Sequence, residues 1–298
     1  TPYIKDSDLG LVAPVDITIP VRMRYEGGAA MALLAGLMGS AGAPAQQDAT
    51  AAYLHTLNWQ NDVEGTFFTI VEERVSKIFE APSAKVYKAE LNFADGILKA
   101  NITARCNTVK DDSTTNTATQ TDALTLPSDF YGTTIKFTQA SVKMNAESGG
   151  DVSSETALEV NDFNIVIERE IESGEYVAGS STIIEPLHTG IPGPATKVTL
   201  NFPRMSAVNN AYFATFQAHT PQKMLIKFEG ATIADTYKYT FALYLPRLVM
   251  EKPSYPYEEI IKSGLTLQAQ EAASNPTAMD YSKIYAEIIN KQTTDYLA

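Results

Sequence analysis

Residues 85–105 read KVYKAELNFADGILKANITAR. Tyr87, Ala89, Leu91 and Phe93 alternate with Lys88, Glu90 and Asn92, which is the period of a strand with one buried face. Asp95-Gly96 then reverses the chain, because glycine takes positive φ freely and aspartate tolerates it. On the return, Leu98, Ala100, Ile102 and Ala104 share one face while Lys99, Asn101, Thr103 and Arg105 share the other. This is an antiparallel hairpin with one face on a core and the other on water or a polar lumen.

The same period recurs along most of the chain. Phe163, Ile165 and Ile167 form one strand face, and Val198, Leu200 and Phe202 another. Met224, Ile226 and Phe228 share a face, as do Tyr237, Tyr239, Phe241, Leu243 and Leu245. Ile135-Lys136-Phe137 is expected to open a strand running towards Met144, and Pro246, which has no N–H to donate, to end the strand before it. Leu265 to Gln270 and Lys283 to Ile289 are further strand candidates. Helix signals are few: Ala29 to Gly39, a turn or two around Asn209 to Gln217, and Glu258 to Lys262. The reading is an all-β, antiparallel sandwich with a short helix. It forms a single domain over 1–298, with a polar loop excursion at 107–122 and a C-terminal elaboration at 253–298.

Composition narrows the function. The 298 residues carry a net charge of −12, which disfavours a broad grip on nucleic-acid phosphates. Cys106 is the single cysteine, so an internal disulfide is excluded and a reducing compartment during synthesis is expected. Residues 29–39, AAMALLAGLMG, are the longest apolar run and are too short to span a bilayer, so no membrane insertion is expected.

No constellation carries chemistry. His55, His188 and His219 stand far from one another and from the cysteine, so no zinc spacing is present, and there is no P-loop, GxGxxG or GxSxG. Glu72 and Glu73 are adjacent on a strand, so they point to opposite faces and cannot share a glycosidase site. No catalytic residue, cofactor or metal is expected. An internal echo is present: Phe68 to Arg74 (FTIVEER) matches Phe163 to Arg169 (FNIVIER) at five of seven positions. Leu91-Asn92-Phe93 recurs as Leu200-Asn201-Phe202, and Ile135-Lys136-Phe137 as Ile226-Lys227-Phe228, in the same order. Duplication of a β-unit is one reading, and the small alphabet of alternating strands is the other.

The order of elements resembles the tail tube (major tail) proteins of long-tailed bacteriophages. It runs from Ile17 to Met38, through His55-Thr-Leu-Asn-Trp59 and Phe67 to Glu73, into the hairpin. Ile135 to Asn145, Phe163 to Ile167, Gly179 to Pro186, Lys197 to Phe202 and Tyr237 to Leu248 follow. The excursion at 107–122 and the part after Pro253 depart from the family's simple core. The resemblance implies a tail-tube sandwich that closes into six-fold rings. Inner sheets join into a continuous β-barrel, and stacked rings form a conduit for the genome. It implies self-assembly, a tape-measure protein and tail terminator or tip proteins as partners, and double-stranded DNA in transit without specific binding. The setting is the virion tail, after synthesis in the bacterial host cytoplasm. An adhesin or carbohydrate-binding β-sandwich is the alternative; it calls for a signal peptide or exposed loop aromatics, and neither is apparent.

Within that expectation, Lys88, Glu90, Asn92, Lys99, Asn101, Thr103 and Arg105 are the candidate lumen-facing residues. Thr108, Asp111, Asp112, Thr115 and Asn116 mark the candidate inter-subunit loop, since a sixteen-residue polar loop is unusual in a compact domain. The lumen is expected to be neutral to negative, with Asp95, Glu168, Glu170 or Glu229 offsetting the hairpin's cations.

Overall fold

A computed structural model describes residues 12–27, 29–74, 77–94, 96–111, 133–172, 174–186, 195–204, 215, 218–251 and 263–297. The helix candidates at 209–217 and 258–262 lie outside these residues, apart from 215. In chain order the strands are β1 (Val15–Arg22), β2 (Pro44–Gln46), β3 (Tyr53–Asn58), β4 (Phe68–Arg74), β5 (Lys77–Ala94) and β6 (Ile97–Cys106). They continue as β7 (Ala140–Ala146), β8 (Asp162–Glu168), β9 (Ala195–Phe202), β10 (Gln222–Ala234), β11 (Tyr237–Met250), β12 (Ser263–Gln270) and β13 (Tyr285–Asn290). Helix α1 (Ala29–Met38) lies between β1 and β2. All the named pairings are antiparallel.

The strands form one sheet folded on itself. One half runs β1-β6-β5-β8-β9-β12 and the other β7-β10-β11-β13-β3-β2. The inward faces meet in one core, as the alternation requires: Ala89, Leu91, Ile102, Ile165 and Leu200 from the β5 half against Ile226, Phe228, Leu243 and Ile288 from the β10 half. Phe93 and Phe163 pack edge to face at 4.8 Å, and Phe93 reaches Phe228 across the sandwich at 5.8 Å.

β11 joins the halves. It pairs with β10 along one edge, with β13 from Thr240 to Tyr244, and with β12 from Arg247 to Met250. Pro246 therefore does not end the strand. It sits where β11 exchanges β13 for β12 and where the β10 register slips, so its missing N–H falls at a gap in the ladder. The strand expected from Ile135 also begins later: Ile135 bridges Met23 and Leu98 through its backbone, a 3₁₀ turn occupies Phe137–Gln139, and β7 follows.

Two departures lie in the Lys85–Arg105 hairpin. Tyr87 was expected on the core face, but the β5–β6 register slips between Val86 and Lys88, so Val86 is buried and Tyr87 turns to the polar side. The strand also starts eight residues earlier than Lys85, at Lys77, and its first part pairs with β4 instead of β6. This β4–β5 arm leaves the main sheet at Pro82 and Ser83, the latter at φ 54°.

Helix α1 is apolar all round and buried from Ala30 to Met38 apart from Ala32. At Gly36 a Cβ would come within 2.3 Å of the Phe68 ring, so only glycine lets the arm approach this closely. Gly39 (φ 72°) ends the helix, with the Ser40 N–H donating to the Ala35 carbonyl at 3.1 Å. The two echoed heptads fall in different settings: among the described residues β4 pairs only with β5, whereas β8 lies between β5 and β9. Ile135–Phe137 and Ile226–Phe228 likewise differ, one a connection and the other mid-strand, so the echo does not reappear as a repeated pairing unit.

Candidate functional site

The outward face of the β5 half is the most organised polar surface of the described residues. Strand alternation puts it there, since each residue paired across the ladder with a polar hairpin position shares its face. Lys88 stands beside Thr103 and Glu168, Glu90 beside Asn101 and Val166, and Asn92 beside Lys99 and Asn164. The register thus brings all seven candidate residues onto one surface, and β1, β8, β9 and β12 widen it. The hairpin alone could not reveal these neighbours. Asp16 and Thr18 on β1 and Lys197 and Thr199 on β9 were missed because a pairing between distant strands leaves no local mark.

The charges on this face meet in pairs. Arg105 grips Asp16 with two hydrogen bonds, Nε to Oδ1 at 2.8 Å and Nη2 to Oδ2 at 2.9 Å. That guanidinium holds the Asp16 carboxyl below the usual carboxylate range. It also lies over the ring of Tyr87 at 5.6 Å, which is where the bulge delivers that side chain. Lys88 reaches Glu168 at 3.7 Å, and Lys197 reaches Glu251 at 3.1 Å. Asn164 Nδ2 donates to Glu90 at 2.8 Å, and the Thr18 and Thr103 hydroxyls pair at 3.2 Å. On the six strands, Arg22, Lys88, Lys99, Arg105 and Lys197 face Asp16, Glu90, Asp162 and Glu168; at the β11 border Glu251 adds an acid and Arg247, opposite Gln270, a cation that is itself paired with Glu147 at 2.6 Å, so among the described residues the face is near balance.

Of the acids expected to offset the hairpin's cations, Glu168 is on this face. Glu229 is not: it lies on β10, whose outward side it shares with Lys227 at 2.8 Å and Lys238 at 3.9 Å. Glu170 is exposed beyond the end of β8, and Asp95 lies outside the described residues.

The excursion is rooted at the arm. Lys110 and Glu80 exchange two backbone hydrogen bonds of 2.8 and 2.9 Å, so the chain after β6 is tied to β5 where the arm begins. Thr108 is half-buried and Asp111 exposed, while Asp112, Thr115 and Asn116 lie outside the described residues. The base of the arm is clasped from the other side, where buried Lys85 pairs with Glu185, whose carboxylate also accepts the Gly65 N–H at 2.9 Å.

Groups that a sequence reader would inspect for chemistry are tied up structurally. His55 is fully buried, with its ring nitrogens 2.7 and 3.0 Å from the carbonyl oxygens of Gly42 and Gln292. Cys106 is buried, donates to the Val15 carbonyl at 3.2 Å, and burial pushes its thiol up. Among the described residues no helix is long and apolar enough to cross a membrane.

Comparison with known proteins agrees with this architecture. No curated protein sequence matches the chain. The family described as phage tail tube protein matches residues 12–282, a span from just before β1 to the approach to β13. The chain belongs to the phage tail tube protein family, structural components of the virion tail that assemble into its tube.

Proposed function

We propose that the chain, as a single domain, is the ring subunit of a tail tube in which six copies close into a ring and rings stack. The polar face of the β5 half then lines the channel, and the protein catalyses no reaction. The charge balance of that face carries this reading. Each phosphate that a free lysine or arginine neutralises adds a salt-sensitive hold on DNA. Cations already committed to Asp16, Glu168 and Glu251 offer less of it. With −12 on the whole chain and a balanced face, the excess acidity falls on other surfaces. A genome can pass such a wall without being retained.

The partners on this reading are further copies of the chain, a tape-measure protein inside the tube, and terminator or tip proteins at its ends. Double-stranded DNA passes through without specific binding, and synthesis takes place in the host cytoplasm. Residues 107–122, rooted at the arm, cross to a neighbouring subunit or ring. Negative-stain microscopy of the purified protein tests the assembly: rings or tubes are expected, and monodisperse monomers would reject it. Replacing 107–122 with a four-residue Gly/Ser turn should impair tube formation; unchanged tubes would remove the loop from the interface.

A further inference from the structure

β7 and β10 set a lysine opposite an asparagine. Their register pairs Lys223 with Asn145, and directly paired residues share a face with Cβ atoms ~5 Å apart, within a lysine's reach. That face is the outward one, because the neighbouring pair, Met224 and Met144, is buried in the core. Two loops cover it. Lys223 is fully buried, and its Nζ donates at 3.0 Å to the carbonyl oxygens of Gly149 in one loop and Thr277 in the other. Val152 and Met279 cluster with Leu225 alongside. Asn145 turns to the first of these loops, where its Nδ2 donates to the Gly150 carbonyl at 3.1 Å and to Glu155 Oε1 at 3.0 Å. The two side chains thus converge on the Gly149-Gly150 peptide, with a carboxylate against the amide. A Cβ at Gly149 would crowd Asn145 Cγ at 3.3 Å, so the glycine leaves the amide carbon room.

We propose that the chain joins Lys223 to Asn145 in an isopeptide bond, with Glu155 as the proton carrier. The amine nitrogen attacks Asn145 Cγ, a C–N bond forms there, and the bond from Cγ to Nδ2 breaks. Of the three protons on the lysine ammonium, one stays on the new amide nitrogen. The other two pass through Glu155 to Nδ2, which leaves as ammonium while the Glu155 carboxylate is regenerated. Nothing is oxidised or reduced, and no co-reactant is needed. Attack requires a neutral amine. Burial holds the Lys223 ammonium below the ordinary lysine range, although Asp151, Glu147 and Glu155 oppose it. Pairing in the ladder supplies the orientation that a reaction between two free groups would lack. The step occurs once per chain and turns over no substrate. Its product fastens β7, which among the described residues pairs with β10 alone, by a covalent bond as well as a ladder.

Intact-mass spectrometry of the purified chain tests the bond, and the wild-type mass decides it without relying on a variant that folds. The wild type should weigh one ammonia less than its sequence. Trypsin should leave Lys223 uncut and release a branched peptide joining 144–169 to 205–227. Asn145→Ala and Glu155→Gln should each show the full mass of their sequence, with Lys223 open to cleavage. A wild-type chain of full mass overturns the proposal. So does an ammonia deficit in a chain that trypsin still cuts after Lys223, since the loss then lies elsewhere. A deficit that survives Glu155→Gln overturns the role given to that carboxylate.

Discussion

Arg169 is 1 % exposed, and among the described residues no carboxylate is in ion-pair contact with it, Asp62 acting only through its charge. Its guanidinium donates to the carbonyl oxygens of Leu37, Gln60 and Asn61 at 2.8–3.3 Å and lies 3.9 Å over the Trp59 ring. Burial lowers its pKa to about 10, which leaves it charged at neutral pH. The cation sits at the C-terminal end of α1, where the helix dipole favours it, and ties that end to the chain after β3. Arg169→Met leaves three buried carbonyls short of donors, so a loss of about 3–5 kcal/mol is expected in denaturant titration, with Arg169→Lys recovering part of it. Glu287 offers a pH-dependent test. Burial raises its pKa although the Tyr244 hydroxyl donates to it at 2.9 Å, with Asp280 raising it further and Lys227 opposing. A raised carboxyl stabilises the fold fully below its unfolded value of ~4.3 and loses that contribution as pH rises through the folded value. Paired thermal melts should therefore show wild type gaining on Glu287→Gln as pH falls from neutral towards ~4, with no loss for the variant at neutral pH. Nothing local in FNIVIER indicates that its arginine is buried; the burial comes from Trp59 and α1, more than a hundred residues upstream.

At the scale of elements, period-two patterning located β8 to β13 through one apolar face of each, although β10 and β11 are buried on both faces over Gln222–Ile226 and Tyr239–Leu243, where Leu225, Ala242 and Tyr285 form a second cluster. It failed where the period itself breaks. The slip after Val86 moved Tyr87 across the sheet, and the partner exchange at Pro246 let a strand continue through a proline. Both are bulge-type irregularities set by pairing partners that local sequence does not name. Of the arm, the sequence reading takes only Phe67 to Glu73 as a strand and starts the hairpin at Lys85, since Lys77–Ala84 alternates poorly. Its anchorage on α1 through Phe68 gives a prediction. Gly36→Ala should destabilise by about 1–3 kcal/mol through overpacking, read as a lower melting temperature. By contrast, Asp16→Asn breaks a partly exposed pair and should cost about 1 kcal/mol, while adding a net positive charge to the polar face.

At the scale of the whole molecule, the polar character of the candidate wall was legible from one hairpin. Its balance was not, because Asp16, Lys197 and Glu251 belong to strands far apart in sequence. If the wall is what the genome meets, assembled tubes should bind short duplex DNA weakly at low salt. A variant in which Asp16, Glu168 and Glu251 become amides should hold it more tightly, with a steeper salt dependence, because Arg105, Lys88 and Lys197 are released. Equal retention by the two tubes would place the passage elsewhere.

The exchange of partners along β11 also has a mechanical consequence. A sandwich made of two separate sheets can shear by sliding one layer over the other. In this chain a single covalent strand is hydrogen-bonded into both layers, to β10 and β13 along one part and to β12 along the next. Sliding would have to tear the same strand from two ladders at once. Each subunit is thus a stiff element, and a tube of such subunits has its compliance at the joints between them. Bending would then change the spacing of copies around the curve while the cross-section of each keeps its shape.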